Sequence, residues 1–586
     1  MGAATLALYN EVAKKAGQST VSGAKLSNAK ATKAIKEIAS DLWASKGKSL
    51  VVSGSNDVNE QTVVNAINNM LSSYGSTINL GAYSNQRQGS DADIQALVKD
   101  MKGGKVGAVI VFGDANPAYD LPNSADFAAG MKKVKFSVSL NTMFNETSAA
   151  CTHVAPDHHY LESWGDVEPK NGSFSLIQPT ISPLFETRSG LTSMLTWGNS
   201  SAVVAQVVVT EAATDSTAAK TETSAKDTPE YDYIKNYWKA NIFSKQSQFS
   251  TFQSFWDATL HAGVIDLSVS ADSGSFAGDV SAAAAKVAKP AGDGLEVTFY
   301  ETVNIGNGQY ANNPWLQEMP DPVTRTVWDS VLCIPVNWNG AKAYRSLNSL
   351  EDGDVAELTI NGKTVQLTVV RMFGMKDDTV AIALGYGRSV DGPVGKGTGQ
   401  NMYPFLSNKG GSTQYFATGA TLSNKKATDK DFACVQHHHT MGLTTAGEDG
   451  GLRKTVSGEN FHVDEEVLAY QGTLANRSVI RQGTLSELKA DVKHLTEERE
   501  EFQTLNSHTL YPGYEKIYKQ GHHWSLSVDL SACIGCGACQ VACIAENNVP
   551  VVGQHEVSIH HEMSWLRIDR YYYGDAENPN VVYQPM

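Results

Sequence analysis

The sequence predicts an α/β and β multidomain chain, and three observations carry that expectation. Over roughly the first 145 residues, strand-length apolar runs alternate with helix-length amphipathic ones. Between about 340 and 405 the apolar period changes to two. Near the C-terminus, four of the seven cysteines crowd into residues 533–543. At 586 residues the chain is too long for one core, and about three to five domains are expected.

In the first region, residues 48–53 read as a buried strand, 60–71 as an amphipathic helix and 77–80 as a second strand. Residues 92–101 read as helix, 106–112 as a strongly apolar strand, 124–132 as a short helix and 134–140 as another strand. Strands separated by helix-length connections imply a parallel sheet covered by helices, here a Rossmann-like α/β domain over 1–150. Gly54 and Gly113 follow strand ends, where such sheets place a ligand crevice and where glycine also simply turns the chain. A mixed α/β continuation spans 151–335. Within it, 211–232 and the alanine- and glycine-rich 276–294 read as surface excursions.

A β-barrel domain is expected over 336–480. Val355, Glu357 and Thr359 alternate with Ala356, Leu358 and Ile360; Asn361-Gly362 then supplies a hairpin turn, and 364–370 runs back. Residues 379–384 add a strand, giving a small antiparallel barrel or sandwich. The following loop carries glycines at 385, 387, 392, 395, 397 and 399 but lacks the lysine–hydroxyl ending of a P-loop, leaving phosphate cradle and mobile loop both open. A charged amphipathic helix over 485–502, within a helical connector at 481–520, leads to the last segment, 521–586.

Composition limits function. A net charge of −15 argues against nucleic-acid binding, which needs a basic surface. No run approaches the roughly 18 apolar residues of a membrane helix. The first fifteen residues lack the basic and apolar regions of a signal peptide. Cys151, Cys333 and Cys434 are isolated and read as buried apolar-like residues.

The chemistry lies in Cys533, Cys536, Cys539 and Cys543, spaced C-x2-C-x2-C-x3-C as in bacterial ferredoxins. Two-residue gaps let one tight loop aim three thiolates at one cubane, and Gly535 and Gly537 let the backbone wrap closely. Zinc sites instead pair two C-x2-C knuckles separated by a dozen or more residues. Ile544 stands where the ferredoxin run has proline, which is not a ligand. The expectation is a 4Fe-4S site, with Cys533, Cys536 and Cys539 serving one cluster and Cys543 another. No cysteine follows Cys543, so the ligand set reads as incomplete and the domain as the first part of a ferredoxin-like fold.

Residues 521–586, with the run ending Val581-Val582-Tyr583-Gln584-Pro585-Met586, resemble the iron–sulfur subunits of the complex iron–sulfur molybdoenzyme family. Phe112-Gly-Asp-Ala-Asn-Pro117, Ala125-Asp-Phe127, Asn145-Glu-Thr147 and 151–169 resemble the catalytic-subunit fold of molybdopterin oxidoreductases. The strands after Leu347, ending near 399–404 and His437-His-His-Thr-Met441, resemble that fold's terminal barrel, the dinucleotide-binding type. The fused arrangement looks most like the B subunit of alternative complex III, a quinol:cytochrome c oxidoreductase, shortened at both ends. That resemblance implies electron relay from quinol toward c-type haem, no catalytic residues of its own and no bound molybdopterin. It implies polytopic quinone-site subunits and multihaem cytochrome c subunits as partners, on the periplasmic face of a bacterial inner membrane. The alternatives are a catalytic molybdopterin oxidoreductase of polysulfide- or thiosulfate-reductase type with a fused relay, and a redox-inert zinc scaffold.

Other polar residues invite roles and have plainer readings. Adjacent His437, His438 and His439 point to alternating sides and read as a vestige of a pterin-binding segment. Asp157, His158, His159 and Glu162 could form a carboxylate–histidine pair, and the resemblance makes their stretch a packing loop. His522, His523 and Trp524 precede an expected cluster strand at 525–530 and read as packing residues; His555, His560 and His561 carry less information. Tyr571, Tyr572 and Tyr573 read as a cover for the ferredoxin core.

Overall fold

The structure, a computed structural model, describes residues 2–26, 28–200, 206–208, 222–224, 228–270, 274–287, 294–338, 344–390, 392–436, 441–442, 445–446, 452–454, 460–462, 485–490, 510, 519–575 and 578–586. It is mixed α/β and divides into two compact units. One comprises 1–294 with 387–397 and 401–420; the other comprises 295–386, 398–400 and 421–586.

In the first unit, helices α1 (Gly2–Ala16), α2 (Ala29–Ala44) and α3 (Val58–Met70) form a small bundle. Leu6, Tyr9, Val12 and Ala13 recur at helical spacing on α1 and meet Ala39 of α2 and Val63, Ile67 and Met70 of α3. Asp57 starts α3 by accepting from the amides of Asn59 and Glu60. Helix α4 (Asp91–Lys102), capped by Ser90, packs Val98 and Met101 on Phe127 and Met131 of α5 (Ser124–Met131).

Strands β1 (Ala108–Val111), β2 (Phe136–Ser139) and β3 (His153–Val154) form a parallel sheet in that order. The expected strands at 106–112 and 134–140 are therefore present, but those at 48–53 and 77–80 are not. At 48–53 side chains replace a partner strand: Asn68 bonds both the N–H and the C=O of Val51 at 2.8 Å, and Ser73 donates to the Ser49 carbonyl. Near 77–80 the Ser73 carbonyl gathers the amides of Ser76, Thr77 and Ile78 into a tight turn. The stretch 276–294 also differs from expectation over its described part. Val280–Lys286 is a helix whose Ala283 and Ala284 are buried in the α1–α3 core, because small side chains permit close approach. Helices Pro229–Asn241 and Phe252–Ala262 enclose an aromatic layer of Trp238, Phe255 and Trp256 with Phe174.

The strands form a closed six-stranded barrel: β4 (Leu295–Glu301), β5 (Leu332–Trp338), β6 (Asp354–Ile360), β7 (Lys363–Met372), β8 (Thr379–Leu384) and β9 (Phe416–Leu422), the first five within the second unit. The ring order is β5-β7-β6-β9-β4-β8 and back to β5. The expected hairpin is β6–β7, with Val355 opposite Thr368 and the turn at Asn361 (φ 51°) and Gly362 (φ 76°). The barrel is not purely antiparallel, however. β5 runs parallel to β7 and β8 parallel to β4, because β4 and β5 are contributed from upstream by long connections rather than hairpins.

Beyond the barrel, α7 (Ala538–Glu546), a short helix Gln554–Ser558 and the hairpin β10 (Ile568–Asp575) and β11 (Asn578–Pro585) make up the C-terminal segment. Residues 525–530 do not form the expected strand. Leu526 is 71% exposed beside Trp524 at 96%, and no neighbouring strand among the described residues satisfies that backbone. Residues 485–490 are helical, and 491–502 lie outside the described residues.

Candidate functional site

The cysteine segment starts from a turn at 529–533. Asp529 accepts the amide of Ser531 on its side chain and that of Cys533 on its carbonyl, at 2.9 and 3.0 Å. Gly535 (φ 67°) and Gly537 (φ 76°) then bend the backbone through the left-handed region. Gly537 caps α7, which carries Cys539 and Cys543 one turn apart on a single face. The Cys543 carbonyl accepts from the side chain of Asn547 at 2.9 Å. All four cysteines are free thiols; Cys539 is exposed and the other three are half-buried.

Packing explains why both glycines are needed. A Cβ at Gly535 would strike the ring of Tyr583 on β11, and one at Gly537 would lie 2.9 Å from the Met319 sulfur. The turn holding Met319 binds the same segment elsewhere. Trp315 donates its indole N–H to the Val549 carbonyl at 2.9 Å, and Glu318 accepts the amides of Val552 and Gly553 at 3.1 and 2.9 Å. Burial raises the Glu318 carboxyl even so, because the amides only partly offset it.

The donor types and the loop suit iron–sulfur ligation: soft thiols on a tight double-glycine turn running into a helix. Among the described residues, no group of three or more His, Cys, Asp or Glu side chains is drawn together closely enough to hold a metal ion. The structure thus supplies the loop without converging its four thiols. Cys333 and Cys434 stay apart as expected. Burial pushes their thiols up to about 12 and about 11, so both are protonated and inert. Burial likewise raises the half-buried Cys151, packed on the α4–α5 core.

A second cluster, within the first unit, escaped the sequence reading. Helix α6 (Glu146–Ala150) is capped by Asn145, which places Glu146 at its first turn. Arg388, in the glycine-rich loop, donates to Glu146 from Nη2 and Nε at 2.7 and 3.0 Å, with both side chains almost fully buried. The amides of Ser389 and Val390 add bonds of 2.7 and 3.2 Å, and Asn116 adds one of 2.8 Å. Burial alone would raise this carboxyl; the hydrogen bonds and charge of Arg388, with Asn116, outweigh it and hold it at about 2. Nearby Asp120 has no such set of donors, and burial pushes it up to about 6. Arg388 also covers the Tyr119 ring at 4.7 Å. As a cradle for phosphate, residues 388–390 are already taken, since a carboxylate of this chain holds both the guanidinium and the amides. The signal in sequence was faint: one arginine and one serine within a glycine-rich run.

Asp157 accepts the amides of His158 and Gly190, and Glu162 those of His159 and Leu184, so both carboxylates brace backbone and form no acid/base pair with histidine. His522, His523 and Trp524 are exposed rather than packed, since nothing among the described residues covers that irregular stretch. His555 pairs with Asp431, and His561 with Glu556, each at 2.7 Å. Tyr572 is buried beneath Arg570 and against Phe373, on the barrel side, and Tyr583 lies on the cysteine loop. His437, His438 and His439 lie outside the described residues.

No protein-family model matches the chain. Over 313 residues it is 26% identical to the menaquinone reductase, molybdopterin-binding-like subunit of Nitratidesulfovibrio vulgaris (strain Hildenborough), covering 51% of this chain and 38% of that protein. Among solved structures it is similar to acetylene hydratase from Pelobacter acetylenicus, with a TM-score of 0.31 and 11% identity over 56% of this chain and 46% of that one. The chain therefore spans less than half the length of either protein. Among the described residues, no helix is long and apolar enough to cross a membrane.

Proposed function

We propose that this chain is an iron–sulfur electron-transfer subunit of a membrane-associated respiratory oxidoreductase, working beside quinone-site and cytochrome c subunits on the periplasmic face. It relays electrons from quinol oxidation toward c-type haem, on a molybdopterin-oxidoreductase-like scaffold without a molybdenum cofactor of its own. The observation that carries this reading is the Cys533–Cys543 loop, with two left-handed glycines and a helix presenting Cys539 and Cys543 on one face. When bound, a 4Fe-4S cluster would supply a one-electron couple, so the two electrons of a quinol pass in sequence. The chain's part is to hold the cluster through Cys533, Cys536 and Cys539, offer Cys543 to a second, and fix the loop against Met319, Glu318 and Tyr583.

Two further observations support the reading. The curated relative's name joins menaquinone chemistry to a molybdopterin-binding-like subunit, which fits a molybdoenzyme-like respiratory component. Arg388 and the amides after it are occupied by Glu146, which leaves that stretch of the glycine-rich loop closed to a dinucleotide phosphate. The test is metal and pterin analysis of the protein isolated from its native source. Iron with acid-labile sulfide and no molybdenum, tungsten or pterin is expected. Stoichiometric molybdenum or tungsten with pterin would replace this reading with a catalytic molybdopterin oxidoreductase.

A further inference from the structure

The cysteine loop is covered on one side by a residue that its spacing does not reveal. Tyr583 lies on β11, opposite Arg570 of β10, and its ring fills the space where a Cβ at Gly535 would stand. Gly535 lies between Cys533 and Cys536, and these two thiols are half-buried. Past Gly537, Cys539 is exposed and Cys543 half-buried. The contact shown for Tyr583 on the loop is thus at the backbone between Cys533 and Cys536. Met319, only 4% exposed, sets its thioether against Gly537 of the same loop. Tyr583 is itself half-buried, and burial comes first among the causes that raise its hydroxyl.

We propose that Tyr583 is a positioning residue that screens the Cys533–Cys536 half of the loop from water and thereby governs thiol reactivity and metal retention there. The physical basis is access. A thiolate or its iron is attacked by reagents that must reach it, and an aromatic ring packed on the intervening backbone blocks that approach from one side. The ring does this work, not the hydroxyl. This role rests on the iron–sulfur reading for its purpose, but the screening is a property of the polypeptide alone.

The test compares wild type with Tyr583→Phe and Tyr583→Leu in the full chain. The first arm alkylates the metal-free protein with iodoacetamide and follows each cysteine by mass spectrometry. Tyr583→Leu should speed modification of Cys533 and Cys536 about tenfold while Cys539 changes less than about twofold, and Tyr583→Phe should match wild type. Equal rates in all three proteins would overturn the proposal. So would uniform acceleration at all four cysteines, because Tyr583 would then be holding the segment's fold and not screening half of it. The second arm measures iron release to a chelator from anaerobically isolated protein. Faster release from Tyr583→Leu, restored in Tyr583→Phe, supports the proposal; release unchanged in Tyr583→Leu contradicts it. Wild-type protein without iron and sulfide would refute the iron–sulfur reading, while the alkylation arm would still decide the role of Tyr583.

Discussion

Arg388 and Glu146 stand 242 residues apart in sequence, yet Nη2 of one lies 2.7 Å from Oε2 of the other, with both side chains almost fully buried. Such a pair is costly to break from one side, because the survivor is a buried charge without its counter-ion. Arg388→Met should destabilise the first unit by about 3–5 kcal/mol in urea unfolding. The double variant Arg388→Met/Glu146→Leu should recover most of that loss, since it buries no lone charge.

Asp120 makes stability depend on pH in the direction opposite to Glu146. Burial raises its carboxyl to about 6, above the ~3.9 of an unfolded aspartate. Between those values the folded state binds the extra proton, so stability falls as pH rises through the window. Asp120→Asn should remove that slope, giving about 1–3 kcal/mol over wild type at pH 7.5 and little at pH 4. Glu146, held at about 2 against the usual ~4.3, contributes fully above that usual value and loses its contribution as pH falls toward 2. Urea midpoints measured from pH 3 to 8 check both signs.

At the hairpin, Gly362 has φ 76° after Asn361 at φ 51°. A side chain there meets no neighbour, so the cost of Gly362→Ala is backbone strain alone, about 1 kcal/mol. A lower thermal midpoint, with no change in iron content, is the expected outcome.

The seven cysteines should separate into two groups. Cys539→Ser is expected to strip most of the iron from the isolated protein, measured with acid-labile sulfide. Cys151→Ala, Cys333→Ala and Cys434→Ala should leave it in place, because those thiols are raised by burial and lie off the loop.

These residues also show how far sequence carries. The β6–β7 hairpin was legible because its signal is local: alternating apolar positions around Asn361-Gly362. The cysteine run was legible for the same reason, since its spacing is contained in eleven residues, 533–543. Residues 48–53 misled because a short apolar run does not say who satisfies its backbone; here side chains do, Asn68 at Val51 and Ser73 at Ser49. Glu146–Arg388, Gly535–Tyr583 and Gly537–Met319 were hidden for the converse reason. Each joins residues that only tertiary folding brings together, and no periodicity or spacing marks them.

The most direct measurement is low-temperature EPR of the native protein, isolated anaerobically and reduced with dithionite. A fast-relaxing signal from a reduced 4Fe-4S cluster, accompanied by iron and sulfide, is the predicted result. An EPR-silent protein that instead carries stoichiometric zinc would contradict an electron-transfer role and leave the Cys533–Cys543 loop a structural site.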